Sequence, residues 1–128
     1  MTVVLDASSL LAFLQDEPGA DVVEAHLAGT ADGADGACCG AASWSEVAQK
    51  VRASGRDWDL VRALLESYEV DVQPVDLADA EWAALRWRRG EGLSLADRLC
   101  LALGERLDAP VLTADAAWGS EGRVHQIR

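Results

Sequence analysis

Apolar residues follow two different spacings along this chain, and each predicts a kind of element. Val3-Val4-Leu5 is an unbroken apolar run that meets an acid, Asp6. Ala7-Ser8-Ser9 then opens a second apolar segment, Leu10-Leu11-Ala12-Phe13-Leu14. A short apolar run bounded by a polar residue is the signature of a strand buried on both faces, and the segment after it reads as a helix. The expected helix is capped by Ser8 or Ser9, runs through Gln15 and is broken by Glu17-Pro18-Gly19. A second helix is expected over Asp21 to Ala28, with Val22, Val23 and Leu27 inward. Gly29 to Gly36 carries Ala-Asp-Gly twice and reads as an irregular loop without the D-x-D-x-D-G order of a calcium site. Ala37-Cys38-Cys39-Gly40 is a candidate second strand.

The second half repeats the alternation. Ser43-Trp44-Ser45-Glu46 opens a helix to about Ala53, stopped by Ser54-Gly55. Asp57 starts another, whose Leu60, Val61, Leu64, Leu65 and Tyr68 recur at amphipathic spacing and predict one core-facing side. Val70 to Val75 alternates apolar and polar with Pro74 near its end, as an exposed edge strand does. Asp76 caps a helix carrying Trp82, Leu85 and Trp87 that ends near Arg88-Arg89-Gly90. Ser94-Leu95-Ala96-Asp97 begins the most apolar helix, which is expected to sit centrally. Pro110 to Thr113 reads as a strand followed by Ala114-Asp115, and Val124 to Ile127 as a last one. Strands and helices alternate without repeats or linkers, so the expected fold is α/β, with a central, largely parallel sheet flanked by helices in a single domain over residues 1–128.

Composition narrows the function classes. The net charge of −11 sets 22 acids against one lysine and ten arginines, which argues against nonspecific polyanion binding unless a local basic face, a basic partner or bound cations intervene. No apolar run approaches the roughly 18 residues of a membrane span, and the N-terminus lacks the basic region of a signal peptide, so a cytoplasmic protein with no membrane partner is expected. Cys38, Cys39 and Cys100 have no zinc spacing and read as buried reduced thiols; His26 and His125 are isolated. Arg86, Arg88 and Arg89 form the densest basic cluster, explained equally by a helix C-terminus and by contact with phosphate.

The acids carry the candidate chemistry. In a parallel α/β sheet Asp6 and Asp115 follow strand ends, while Glu46 and Asp97 lie in the first turns of helices, so all four belong to one sheet edge. Each has a structural explanation as well. Ser43-x-x-Glu46 matches the capping box, in which the acid bonds back to the cap residue, and spacing by itself favours the cap. Two carboxylates about 4 Å apart repel by roughly 4 kcal/mol at an effective dielectric near 20, so a cluster calls for protons or cations. An oxygen-only set suits Mg²⁺ or Mn²⁺, and such a site supports metal-assisted hydrolysis of a phosphodiester.

Val3 to Leu11, the Glu46 helix, Leu93-Ser94-Leu95-Ala96-Asp97 and Leu112-Thr113-Ala114-Asp115 together resemble the PIN domain, specifically the bacterial VapC-type toxins, over essentially the whole chain. The resemblance implies a PIN-like three-layer fold and a Mg²⁺- or Mn²⁺-dependent endoribonuclease that cuts RNA, forms a homodimer and is silenced by a VapB-type antitoxin. It implies Asp6, Asp97 and Asp115 as metal ligands, and Glu46 as the acid that helps hold the metal or its water. Ser8 and Thr113 fall where the family places site hydroxyls, although capping and strand-end bonding explain both equally well. Glu17-Pro18-Gly19 resembles the family's loop after the first helix without making Glu17 catalytic, and Ala114 stands where the family often has Asn. Leu10, Leu11, Phe13 and Leu14, with the five tryptophans, are candidate partner faces. Two rival readings are a non-catalytic PIN-like binding module and a PIN nuclease of RNA processing that is not a toxin.

Overall fold

In the computed structural model, which describes residues 1–31, 33 and 36–128, strands and helices alternate from one end to the other. In chain order they are β1 (Thr2–Leu5), α1 (Ala7–Leu14), α2 (Ala20–Ala31), β2 (Gly36–Gly40), α3 (Ala41–Ala53), α4 (Trp58–Ser67), β3 (Asp71–Gln73), α5 (Leu77–Arg86), α6 (Leu95–Leu107), β4 (Val111–Thr113) and β5 (Val124–Gln126). A single 3-10 turn over Ala116–Trp118 follows β4.

The five described strands form one sheet in the order β3-β2-β1-β4-β5, every pair parallel. Side-chain alternation explains why both faces are covered. Val3 and Leu5 of β1, Cys39 of β2 and Leu112 of β4 point to one side, where they pack with residues of α1 to α4 such as Leu10, Leu27, Val47 and Leu65. Val4, Cys38 and Val111 point to the other and pack with Cys100 and Leu103 of α6. The result is three layers, with α5 paired to α6 on the second face. Gly104 lies where a Cβ would run into Val111 Cγ2, so α6 approaches β4 more closely than an alanine would allow. All three cysteines are free and buried, as expected, and burial pushes the thiols of Cys38 and Cys39 up to about 11 and about 12.

The chain winds from β1 outward to β3, then returns to place β4 on the other side of β1. Neighbouring strands β1 and β4 are therefore entered from opposite directions, and the crevice beyond their C-terminal ends is the switch point where open α/β sheets collect ligands.

Several local expectations change. Helix α1 is capped by Asp6, not Ser8 or Ser9: the Asp6 side chain accepts the Ser9 N–H, and Ser9 Oγ donates back to the Asp6 carbonyl at 2.9 Å. Helix α2 is longer than Asp21 to Ala28 at both ends and takes in Gly29 and Thr30; Val23 and Leu27 are buried but Val22 is exposed. Of the expected loop, residues 32, 34 and 35 lie outside the described residues. Helix α3 begins at Ala41, so Ser43 is not its cap. On α4, Val61 and Leu65 are buried with Trp58, whereas Leu60 is 70% exposed and Leu64 is 42% exposed; the apolar stripe is wider than the core it meets. Likewise Leu85 and Trp87 are exposed. Leu10 and Leu11 are core residues here, with Phe13 and Leu14 packed against the same core. Strand β3 is an edge, as its alternation predicts. No helix among the described residues is long and apolar enough to cross a membrane.

Candidate active site

Asp6 reaches the switch point because β1 ends one residue before it. Its carboxylate is 4% exposed and held on all sides: Ser9 N donates to Oδ1 at 2.8 Å, Thr113 Oγ1 donates to Oδ2 at 2.6 Å, and Ser8 Oγ lies 2.8 and 2.9 Å from the two oxygens. Ser8 Oγ also accepts the Ala114 N–H at 2.9 Å, and Thr113 Oγ1 accepts the Asp115 N–H at 3.0 Å. The two hydroxyls thus stitch α1 to the segment after β4. Burial raises the Asp6 pKa, with hydrogen bonds from Thr113, Ser9 and Ser8 opposing the rise.

Glu46 arrives on α3, which starts directly from β2 with Gly40 as N-cap and no side-chain cap bond. The expected capping box therefore does not form. Ser43, Val47 and Val51 face the interior, and Trp44 packs edge-on against Trp58 at 5.4 Å, which fixes the helix about its axis. Glu46 and Lys50 share the stripe beside that buried face. Among the described residues the Glu46 carboxylate has no hydrogen-bond donor. Its pKa is raised by desolvation first and then by the negative charge of Asp97; Lys50 lowers it, and Asp6 adds a smaller rise.

Asp97 takes the capping role instead. Its Oδ2 accepts the Ser94 N–H at 3.0 Å while its own N–H donates to Ser94 Oγ at 3.1 Å, so the reciprocal box closes at α6. Asp115 caps the 3-10 turn through the Ala117 N–H at 2.9 Å and is otherwise exposed.

These acids line one cavity of about 120 Å³, together with Ala7, Ser8, Ser43, Lys50, Cys100 and Trp118. All four residues singled out from the sequence meet there; Ser43, Lys50, Cys100 and Trp118 were not foreseen. Their signal was present as helical spacing, since 43, 46 and 50 share one stripe, 97 and 100 another, and 115 and 118 lie one turn apart. As the side chains stand, no trio of His, Cys, Asp or Glu among the described residues closes tightly enough to enclose an ion. Asp6, Asp97 and Asp115 each accept a local N–H on one carboxylate oxygen. The donor set nevertheless fits a hard divalent cation, being oxygen-rich with four acids against one lysine.

Trp118 also borders a wider groove of about 570 Å³ that includes Arg86, Arg88 and Arg123. The arginine cluster is divided there. Arg86 pairs with Glu91 at 2.6 Å, Arg89 lies 6.0 Å over the Trp87 ring, and Arg88 is exposed.

The family model described as PIN domain matches residues 3–120. Among solved structures, a toxin–antitoxin complex from Klebsiella pneumoniae shares 17% identity over 98% of both chains, with a TM-score of 0.75. VapBC2 from Rickettsia felis, bound to a DNA fragment from its promoter, shares 9% identity over 98% of both chains, with a TM-score of 0.69. At these identities the likeness is one of fold. No curated protein sequence matches the chain.

Proposed function

Because the chain belongs to the PIN-domain family, we propose that it is a Mg²⁺- or Mn²⁺-dependent endoribonuclease and the toxin of a type II toxin–antitoxin pair. The observation that carries this reading is the meeting of Asp6, Glu46, Asp97 and Asp115, from four separate segments, on one small cavity at the sheet's switch point. That the two solved structures named above come from toxin–antitoxin systems supports the biological role.

Asp6, Asp97 and Asp115 would hold the ion. A divalent cation there would neutralise charge on the attacked phosphate and make water a better nucleophile. The rest is the work of the chain's own groups. Glu46, raised in pKa and, among the described residues, without a hydrogen-bond donor, accepts the proton that water loses as its oxygen attacks phosphorus, and the phosphodiester P–O bond on the opposite side breaks, its leaving oxygen taking a proton from solvent. Thr113 and Ser8 hold the Asp6 carboxylate in one orientation, and Ser94 orients Asp97, so neither acid has to be ordered during turnover.

The partners in this reading are RNA, a second copy of the chain and a VapB-type antitoxin. Exposed Leu60 and Leu64 on α4, and Leu77, Leu85 and Trp87 on or next to α5, offer apolar faces for the protein partners. Residues 1–128 act as one unit in the cytoplasm. Asp6→Asn should abolish Mn²⁺-dependent cleavage of RNA while leaving the far-ultraviolet circular dichroism unchanged; undiminished cutting would refute the assignment.

One observation favours a non-catalytic module: Asp6, Asp97 and Asp115 each cap a local turn or helix start through a hydrogen bond, a structural role complete in itself. Calorimetric titration with Mn²⁺ separates the two readings, since the nuclease should show a site that Asp6→Asn removes and the module none.

A further inference from the structure

Every other cation that this chain could bring to its acidic cavity is either occupied or elsewhere. Arg62, Arg86, Arg106 and Arg123 are in ion pairs, and Arg56, Arg98 and Arg128 donate to backbone carbonyls. Arg89 lies over Trp87, and neither Arg52 nor Arg88 borders the cavity. Lys50, the chain's single lysine, does border it, one helical turn beyond Glu46 on the same stripe of α3. Its side chain is exposed, and among the described residues it makes no ion pair within 4.0 Å although four carboxylates line the same space. Lys50 is thus, among the described residues, the one cation on a cavity walled by four acids, and its charge acts on Glu46 without a contact pair.

A phosphodiester brought to those acids is repelled by them, and its non-bridging oxygens need a hydrogen-bond donor and a positive charge that carboxylates cannot provide. We propose that Lys50 is the residue that grips the RNA phosphate at this site, its ammonium contacting a non-bridging oxygen of the strand being cut. The proposal rests on the nuclease reading of the same cavity. It also answers the difficulty raised by the net charge of −11: RNA is held by one cation placed at the point of reaction, with no need for a broad basic surface. The rival explanation is an ordinary Glu46–Lys50 helix pair, which stabilises helices slightly and touches no ligand.

The test uses the full chain and a fluorescein-labelled mixed-sequence single-stranded RNA, with binding followed by anisotropy in Ca²⁺ across a range of KCl. Lys50→Gln should weaken binding about fivefold and make the slope of log K against log salt shallower by about 0.7, the value for one phosphate contact on a single strand. Lys50→Arg should restore most of both, and Mn²⁺ affinity should stay within about twofold of wild type, since a phosphate contact is not a metal ligand. Wild-type affinity and salt slope in Lys50→Gln would overturn the proposal, and so would loss of Mn²⁺ binding in parallel with RNA. The underlying reading fails differently: wild type would then cut no RNA in Mn²⁺. A wild type that cuts, with Lys50→Gln cutting at the same KM, sinks the lysine alone.

Discussion

Two helix entrances in this chain carry the same Ser-x-x-acid pattern and use it in opposite ways. At α6, Ser94 is extended, with φ −71° and ψ 170°, and Asp97 closes a reciprocal cap. At α3, Ser43-Trp44-Ser45-Glu46 fits the pattern better, since it ends in Glu, yet no cap bond forms because the helix has already begun at Ala41. What decides is how the preceding chain arrives. A loop can deliver its serine in the extended conformation a cap needs, whereas β2 runs into α3 with no residue to spare. The functional consequence is a division of labour: Asp97 is oriented by its own helix, and Glu46 is left with a free carboxylate over the cavity.

Charge removal tests that division most strongly. Asp97→Asn should lower Mn²⁺-dependent RNA cleavage by on the order of 10³-fold, and Glu46→Gln by about 10²-fold, the usual effect of losing a general base. Single-turnover rates measure both; a Glu46→Gln protein within roughly fivefold of wild type would put that acid outside the chemistry. Capping gives the next largest effect. Ser94→Ala should cost about 1 kcal/mol in urea unfolding, while Ser43→Ala should stay within about 0.5 kcal/mol, and equal losses would erase the distinction between the entrances.

The smallest effect is a pH dependence in metal-free protein. The folded state holds the Asp6 proton more tightly than the unfolded chain, so the stabilisation linked to that proton is fully present below the ordinary value of 3.8. It is lost as pH rises through the raised folded value, and neutral protein carries Asp6 at a disadvantage. Asp6→Asn has no such carboxyl, so its urea midpoint relative to wild type should be higher near pH 7 than near pH 4. A pH-independent difference would mean that burial of Asp6 is fully offset by Thr113, Ser8 and Ser9. In that case Asp6 would resemble Asp97, a carboxylate satisfied by its neighbours, and not Glu46.

The layered α/β fold was legible because its signals are local: the Val3-Val4-Leu5 run and the helix starts at Asp57 and Asp76 appear as expected, and the edge strand expected over Val70 to Val75 forms over the shorter Asp71–Gln73. The four acids were legible for the same reason, since each follows a strand or opens a helix. Burial extent was not. Leu60 and Leu64 have the spacing of core residues but face away, because how much of an amphipathic stripe is covered depends on elements distant in sequence. Lys50 and Trp118 were hidden because a lysine in a helix and a tryptophan near a glycine have ordinary explanations until the cavity brings them together. The cap at Asp6 was missed through a similar overlap. A residue expected to do chemistry also begins the helix, and the serines beside it were credited with its work.

A chain with one lysine gives amine-directed chemistry a single side-chain address, Lys50, and that address borders the acid cavity. An acylating reagent therefore works as a footprinting probe at single-residue resolution, without any change to the gene. Mass spectrometry of the Lys50 peptide would report its protection by RNA, with a lysine-free peptide of the same digest as the internal reference. The same reaction would install a fluorophore at the mouth of the site, placing a reporter of substrate entry where most proteins would offer a mixture of labelled forms.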